Sequence, residues 1–424
     1  MKSLEIASEI LINVLDHDIP FALALRNTFK KNNVDHTARS NITALVGCEL
    51  RHHLLFEELV KDRFGEVSHP HCSYVLLLLA DSLFLKRFDK EEILSLAIAQ
   101  FEESSLDIEA LKSFSDWIGT TNELIPNEYP NGSIEYLSLR FNTPLWIVKM
   151  WQKQYGRGLT IKILKTNYKA ATTTVRLNSL AINKDEILSN QDFSETMIED
   201  IFAYRGKAPI KKQKYFENNG LFYEKMATKY LIDKLELDPL KKVAVYGNVP
   251  NNIYLDLSVR FNRQIEVDVM TTHTQVYYET KRNLDTYHLE KVKVYDIHEG
   301  GPSLIVTCLS SKVNTMFVLP KNSMFDLLRS TPDYFLRIKQ SSLDELIAGQ
   351  NLALNEASKF VEEGGTLVYM VPTINKKEGE GVVKNFLLNN HDFTLLDEKQ
   401  FFPFEAMDSC LYYAIMHRKV TKDD

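Results

Sequence analysis

Cysteine is scarce in this chain: four in 424 residues, at Cys48, Cys72, Cys308 and Cys410, never spaced as CxxC. That excludes a disulfide scaffold and fits reduced thiols in a cytoplasm. Long apolar runs are missing too. The longest, Tyr74 to Leu85, is interrupted by Asp81 and too short to span a bilayer, so it reads as a buried helix and no membrane partner is expected. The opening Met1-Lys2-Ser3-Leu4-Glu5 leads straight into an amphipathic helix, without a signal-peptide pattern. Paired metal-ligand motifs are also lacking. His69-Pro70-His71-Cys72 has no second pair at zinc-ligand spacing and reads as a loop between helices. His52-His53 reads as a partly exposed helical pair, and no metal is expected.

Positive charge is in deficit, with 50 Lys and Arg against 57 Asp and Glu, a net charge of −7. The deficit is uneven. Residues 1–130 hold 12 basic and 21 acidic residues, a balance of −9, while residues 151–215 hold 12 and 6, a balance of +6. Phosphate binding needs local cations rather than a basic average. The middle of the chain is therefore the candidate RNA surface, and the acidic start suits a protein partner better than a polyanion.

What is present is enough for two or three soluble domains, with 44% hydrophobic and 25% charged residues. From Ile6 to Trp117 the apolar period is helical. Ile6, Ile10, Leu11, Val14 and Leu15 form one stripe, and Ile42, Leu45, Val46, Leu50 and Leu54 another. Residues 1–120 are expected to be all-α, 119–135 a linker, 136–215 a small α+β segment, and 216–420 an α/β domain. In the last, strands are expected at 242–246, 264–269, 291–295, 304–308, 315–319, 366–371 and 411–416. Helices are expected at 224–236, 252–261, 275–288, 341–363 and 379–389. Such alternation makes a mostly parallel sheet covered on both faces.

The most informative stretch is KFVEEGGTLVYMVPTINKKEGEGVVKNFLLNN, Lys359 to Asn390. It reads as a helix end, a turn at Gly364-Gly365, a buried strand Thr366 to Val371, a polar loop and a helix. In a doubly wound sheet ligands bind beyond the carboxyl ends of strands, so the tip after Tyr369 is where chemistry is expected. The stretch GGTLVYMVPTINKKEGE resembles the GGTLVYSTCTINPEENE of the RNA cytosine-5 methyltransferases, of the bacterial 16S rRNA type with a NusB-like N-terminal domain (the RsmB or Sun group). The resemblance extends to Pro144, Trp146, Val148, Trp151, Tyr155 and Gly156, to Thr174-Val175-Arg176-Leu177-Asn178, and to Leu328-Arg329 with Pro332-Asp333. It implies a NusB-like all-α domain, a small α+β segment that helps to hold RNA, and a Rossmann-like methyltransferase domain. It also implies ribosomal RNA of the small subunit as partner, S-adenosylmethionine as cofactor and a cytoplasmic location, with no DNA.

The chemistry the resemblance implies depends on particular groups. Methylation at carbon 5 of cytosine needs a thiolate that adds to carbon 6, a group on the base edge and a bound methyl donor. The family's nucleophilic cysteine falls on Pro372. Its Asp-Ala-Pro-Cys falls on Val318-Leu319-Pro320-Lys321, which leaves Lys321 as the base-contacting candidate. Of its Gly-rich donor turn only Pro250 remains, with Asn251 and Asn252 at the glycine positions; Asn tolerates φ > 0 better than other side chains. Asp268 and Asp296 stand where the family has its ribose and adenine acids. Arg176, Lys211, Lys212 and Lys214 are the candidate RNA contacts, and Trp146 and Trp151 read as core. The pattern points to an inactive, RNA-binding relative in which the methyl donor binds weakly or not at all. An active enzyme with an altered site, or a protein-interaction scaffold, remains as an alternative.

Overall fold

The computed structural model describes residues 2–121, 123–169, 171–247, 252–405 and 409–420. The chain divides into two compact units, Met1–Ala170 with Leu327–Ile338, and Ala171–Asp326 with Lys339–Asp424.

The first unit is helical: Lys2–Leu15, Phe21–Asn32, His36–Phe64, His69–Ala80, Lys90–Glu103, Ile108–Thr120, Ile134–Arg140 and Leu145–Asn167. Several helices start on an aspartate. Asp35 accepts from the amides of Thr37 and Ala38, Asp89 from Glu91 and Asp107 from Ala110, each satisfying an otherwise orphaned donor. Part of the acidic surplus of this region is thus consumed in caps. Asp81, which interrupts the apolar run, is buried, and its carboxylate accepts from the amides of Arg87 and Phe88 where the chain leaves the helix. Pro70 occupies the first turn of His69–Ala80, so the expected His-Pro-His loop is a helix start. His53 is 3% exposed, not the partly exposed residue expected from its polarity.

Leu145–Asn167 is broken at Gly156, whose φ of 77° and ψ of 166° lie outside the helical region. Trp151 is fully buried, as core packing requires. Asn142 fastens this part to the long helix, accepting from the Leu54 amide at 3.0 Å and donating to the Leu50 carbonyl at 2.8 Å. The division between the two compact units falls at Ala171, inside the expected segment 136–215. The short stretch Leu327–Ile338 joins the helices through Asp333, which accepts from the Phe21 amide and pairs with Arg337.

The second unit holds two sheets. Strands β1 (Thr173–Leu177), β2 (Phe193–Glu195), β3 (Ile201–Tyr204) and β4 (Leu221–Tyr223) form an antiparallel four-stranded sheet in the order β2-β3-β1-β4. The larger sheet has seven strands: β5 (Val243–Gly247), β6 (Val267–Thr271), β7 (Val292–Asp296), β8 (Val313–Leu319), β9 (Val361–Val371), β10 (Phe393–Phe401) and β11 (Leu411–Arg418). Their order is β10-β11-β9-β8-β5-β6-β7, with β5 to β9 parallel and β10 and β11 antiparallel. Side chains alternate between two cores, as the period of two requires. Val243, Val245, Phe317 and Val368 point to one, and Ala244, Tyr246, Met316 and Tyr369 to the other.

Three expectations for this domain need correction. Residues 304–308 form helical turns, because Gly301 (φ 57°) and Pro302 start one and leave Val306 63% exposed. The helix expected to Glu363 ends at Ser358. The Gly364-Gly365 pair is then no helix cap. It is a bulge inside β9, where the pairing with β8 shifts between Val361 and Thr366. Gly364 has a φ of 75°, and a Cβ on Gly365 would stand 2.7 Å from the Asn314 carbonyl oxygen, so both positions demand glycine. Finally, β10 was not legible as a strand: it is an edge with exposed Thr394, Leu395 and Leu396, and its polar run conceals the period.

Candidate functional site

The sheet positions its chemistry beyond the ends of β8 and β9. A cavity of about 640 Å³ opens there, floored by Leu319, Met324, Met370 and Pro372 and walled by Tyr223, Glu224, Leu255, Tyr287 and Asp326. Lys211 and Arg282 stand at it as cations. Pro372, directly after β9, is half-buried, and its carbonyl accepts from the Asp326 amide at 3.3 Å.

Beneath this tip lies Glu378, 0% exposed. Its carboxylate accepts from the Ser323 amide and hydroxyl, from Gln350 Nε2 at 2.9 Å and from Asn375 Nδ2 at 2.9 Å. The network fixes the loops after β8 and β9 against each other. Asp326 is held as well: its Oδ1 accepts from the Cys410 amide at 3.0 Å, and Lys225 Nζ stands 4.0 Å from its Oδ2. The Cys410 thiol is buried, and burial together with the Asp326 carboxylate pushes its pKa well above the ordinary thiol range. It stays protonated and is no nucleophile. Among the described residues, no cysteine lines the cavity.

The expected site residues separate into several places. Pro372 and Lys211 come to the same cavity, with Lys212 and Lys214 exposed next to Lys211. Lys321 is exposed and does not line the cavity; its carbonyl takes the Gln350 amide, and Met324 and Asp326 reach the site instead. Asp268 was expected at the carboxyl end of the second parallel strand. It is the second residue of β6, nearer the opposite end, 2% exposed and paired with Lys242 at 2.5 Å. The strand ends two residues later than its pattern suggested, and Thr271 occupies the carboxyl end. Asp296 does end β7, where its carboxylate takes both the amide and Nδ1 of His298.

Arg176 is 3% exposed and ion-paired with the buried Asp256, so its guanidinium is not open to phosphate. Pro250 and Asn251 lie outside the described residues. Asn252 begins the helix Ile253–Arg260 with a φ of −118° and donates to the Tyr223 carbonyl at 2.5 Å, so it makes no use of the left-handed tolerance of Asn. Sequence reasoning passed over Tyr223 and Phe216, whose rings stand 5.0 Å apart at the cavity, Tyr223 being 39% exposed. The signal was present in the three lysines Lys211, Lys212 and Lys214 followed at once by Tyr215 and Phe216 and then by Phe222 and Tyr223. An open ring beside cations is a stacking surface for a base.

Comparison with known proteins bears on the sequence relationship and the fold. The family model described as the ferredoxin-like domain of RsmF/B-like methyltransferases matches residues 143–192. The chain is 21% identical to "Probable ribosomal RNA small subunit methyltransferase B" of Bacillus subtilis, over 92% of this chain and 89% of that one. Among solved structures, PH0851 superposes with a TM-score of 0.77 at 16% identity over 99% of both chains. A methyltransferase homolog protein from Pyrococcus horikoshii superposes at 0.57 with 17% identity, covering 68% of this chain and 99% of that one. The fold is accordingly a helical N-terminal region followed by a Rossmann-like methyltransferase fold with a mixed sheet. The chain is thus similar along most of its length to a ribosomal RNA small subunit methyltransferase B, and in residues 143–192 to the ferredoxin-like domain of RsmF/B-like methyltransferases.

Proposed function

We propose that this protein is a relative of the RNA cytosine-5 methyltransferases that binds small-subunit ribosomal RNA without methylating it. Homology to ribosomal RNA methyltransferases supports an RNA methyltransferase ancestry and ribosomal RNA as the ligand. The observation that carries the inactive reading is Pro372, an imino acid without a nucleophile at the tip of β9, in a cavity that no described cysteine lines.

Methyltransferase relatives imply S-adenosylmethionine. The described residues fit it poorly: Asp296 ends β7, but Thr271, not a carboxylate, ends β6, so the acid that would hold the ribose hydroxyls is missing. Weak or lost binding of the methyl donor follows from that reading. The cavity would then serve recognition alone, with Tyr223 stacking on an unpaired base and Lys211 with its neighbours on the backbone. Two measurements on wild-type protein test the proposal: filter binding of unmodified small-subunit RNA, and transfer of tritiated methyl groups to the same RNA. Retention on the filter without incorporation is expected. Incorporation would overturn inactivity, and no retention would overturn RNA binding.

A further inference from the structure

The long helix His36–Phe64 and the start of His69–Ala80 gather two imidazoles and a carboxylate in the helical unit. His53 and Glu57 are one turn apart on one face of the long helix. One ligand atom of each of His53, Glu57 and His69 lies within 4.8 Å of the other two. The two rings are 5.6 Å apart between centroids, and His69 Nε2 stands 3.8 Å from Glu57 Oε1.

Each ring is also held from behind. His53 Nδ1 lies 2.6 Å from Oε1 of Glu49, one turn earlier on the same helix. His69 Nδ1 lies 2.8 Å from Oδ1 of Asp16. A carboxylate on Nδ1 fixes the tautomer and makes Nε2 the electron-pair donor, which is how metal-ligating histidines are oriented. Glu49 is itself 0% exposed, and its Oε2 has no hydrogen-bond partner among the described residues. That carboxylate is paired through Oε1 with His53, so a cation on the same ring would add to its compensation.

We propose that His53, His69 and Glu57 bind one divalent transition ion of the zinc class. Two imidazoles and one carboxylate suit zinc, cobalt or nickel, whereas calcium and magnesium take oxygen ligands. Bonds of about 2 Å place tetrahedral ligand atoms roughly 3.3 Å apart, so the cluster needs to close by up to about 1.5 Å. Glu57 and His69, with side chains 55% and 25% exposed, have room to supply that movement. A cavity of about 230 Å³ lined by Glu57, His69 and Cys72 opens beside the cluster, which leaves room for water as fourth ligand. Three protein ligands with one open position then describe the site. Without an ion a proton does the bridging: the Glu57 and Asp16 carboxylates push the His69 imidazole up to about 9.

Calorimetric titration of the chelator-treated, untagged full chain with zinc chloride near neutral pH tests the site. One ion per chain with a Kd of about 1 µM or tighter is expected. His69→Ala and Glu57→Gln each should weaken binding by about 100-fold or more, and Asp16→Asn, which only orients His69, by roughly 10- to 100-fold. Cobalt absorption in the visible gives a second reading, with tetrahedral bands that His69→Ala removes. His69 and Glu57 are partly exposed, so circular dichroism of both variants should match the wild type; His53 is left alone because it is buried. No heat with zinc, or zinc and cobalt binding untouched by His69→Ala and Glu57→Gln in folded protein, would overturn the site.

Discussion

Glu378 Oε1 accepts from the Ser323 backbone amide at 2.8 Å while Oε2 accepts from the Ser323 hydroxyl at 2.6 Å. One carboxylate thereby joins the loop after β8 to the loop that carries Pro372. It is buried among neutral donors, so removing it takes an acceptor from the Ser323 amide and hydroxyl, from Gln350 Nε2 and from Asn375 Nδ2. Glu378→Ala should cost about 3–5 kcal/mol, and Glu378→Gln, which keeps the shape but turns one acceptor into a donor, about 1–3 kcal/mol. Tryptophan fluorescence would miss the change, because Trp117, Trp146 and Trp151 all belong to the helical unit. Hydrogen exchange of peptides covering β8 and β9 reads it directly, and wild-type protection in Glu378→Ala would count against the network.

Arg176 and Asp256 make a second buried relationship, between β1 and the helix Ile253–Arg260. Burial pushes the Asp256 carboxyl up, and Arg176 with Lys229 pulls it down. Arg176→Met leaves the carboxylate alone and should cost about 3–5 kcal/mol, whereas Arg176→Met with Asp256→Leu should cost much less than the two single changes summed. Urea unfolding followed by pulse proteolysis provides the numbers. RNA affinity of the folded double variant should equal that of the wild type; a loss there would return Arg176 to the RNA surface.

The sheet was legible because its strands carry apolar residues on both faces, rich in β-branched side chains, as in Val243-Ala244-Val245 and Thr366 to Val371. What the pattern could not carry was position along a strand. Asp268 follows Val267 in an apolar alternation that continues to Met270, and only the pairing with β5 and β7 reveals that it sits near the far end. The bulge at Gly364 was hidden for a related reason, since a glycine pair after a helical run is also the mark of a helix end. The burial of Arg176 depends on Asp256, distant in sequence, and no local period records such a partner. The same holds for His53 and His69, which share a cluster only because two helices meet.

The RNA surface makes a prediction in the language of salt. Lys211, Lys212 and Lys214 are exposed on the short turns Ile210–Lys212 and Lys214–Glu217, with Lys211 at the cavity. If each neutralises one phosphate, changing all three to Glu should lower the slope of log K against log salt by about 2. Binding should weaken across sequences, because phosphate contacts carry no base information. Filter binding at two salt concentrations checks both points. An unchanged slope would move the RNA surface elsewhere.

Replacing Pro372 by Cys returns a thiol to the tip of β9, yet it should not return methyl transfer. A thiol there would stand beside Asp326, whose amide already bonds the Pro372 carbonyl. A carboxylate lining the same cavity raises a thiol pKa, and Lys225, 4.0 Å from that carboxylate, offsets it only in part. The thiolate fraction near neutral pH should therefore be small, and alkylation by iodoacetamide should be slower than for an unperturbed cysteine. The position where the resemblance puts the acid on the base edge is Val318 here, fully buried, and the methyl donor would find Thr271 at the end of β6. Groups that act as a unit are far from additive, so one repair should recover almost nothing. The assay is tritiated-methyl transfer to unmodified small-subunit RNA, with wild type and Pro372→Cys compared at equal concentration. Incorporation by the wild type would overturn the inactive reading; incorporation by the variant alone would mean that the donor site is intact and that Pro372 by itself silences the enzyme.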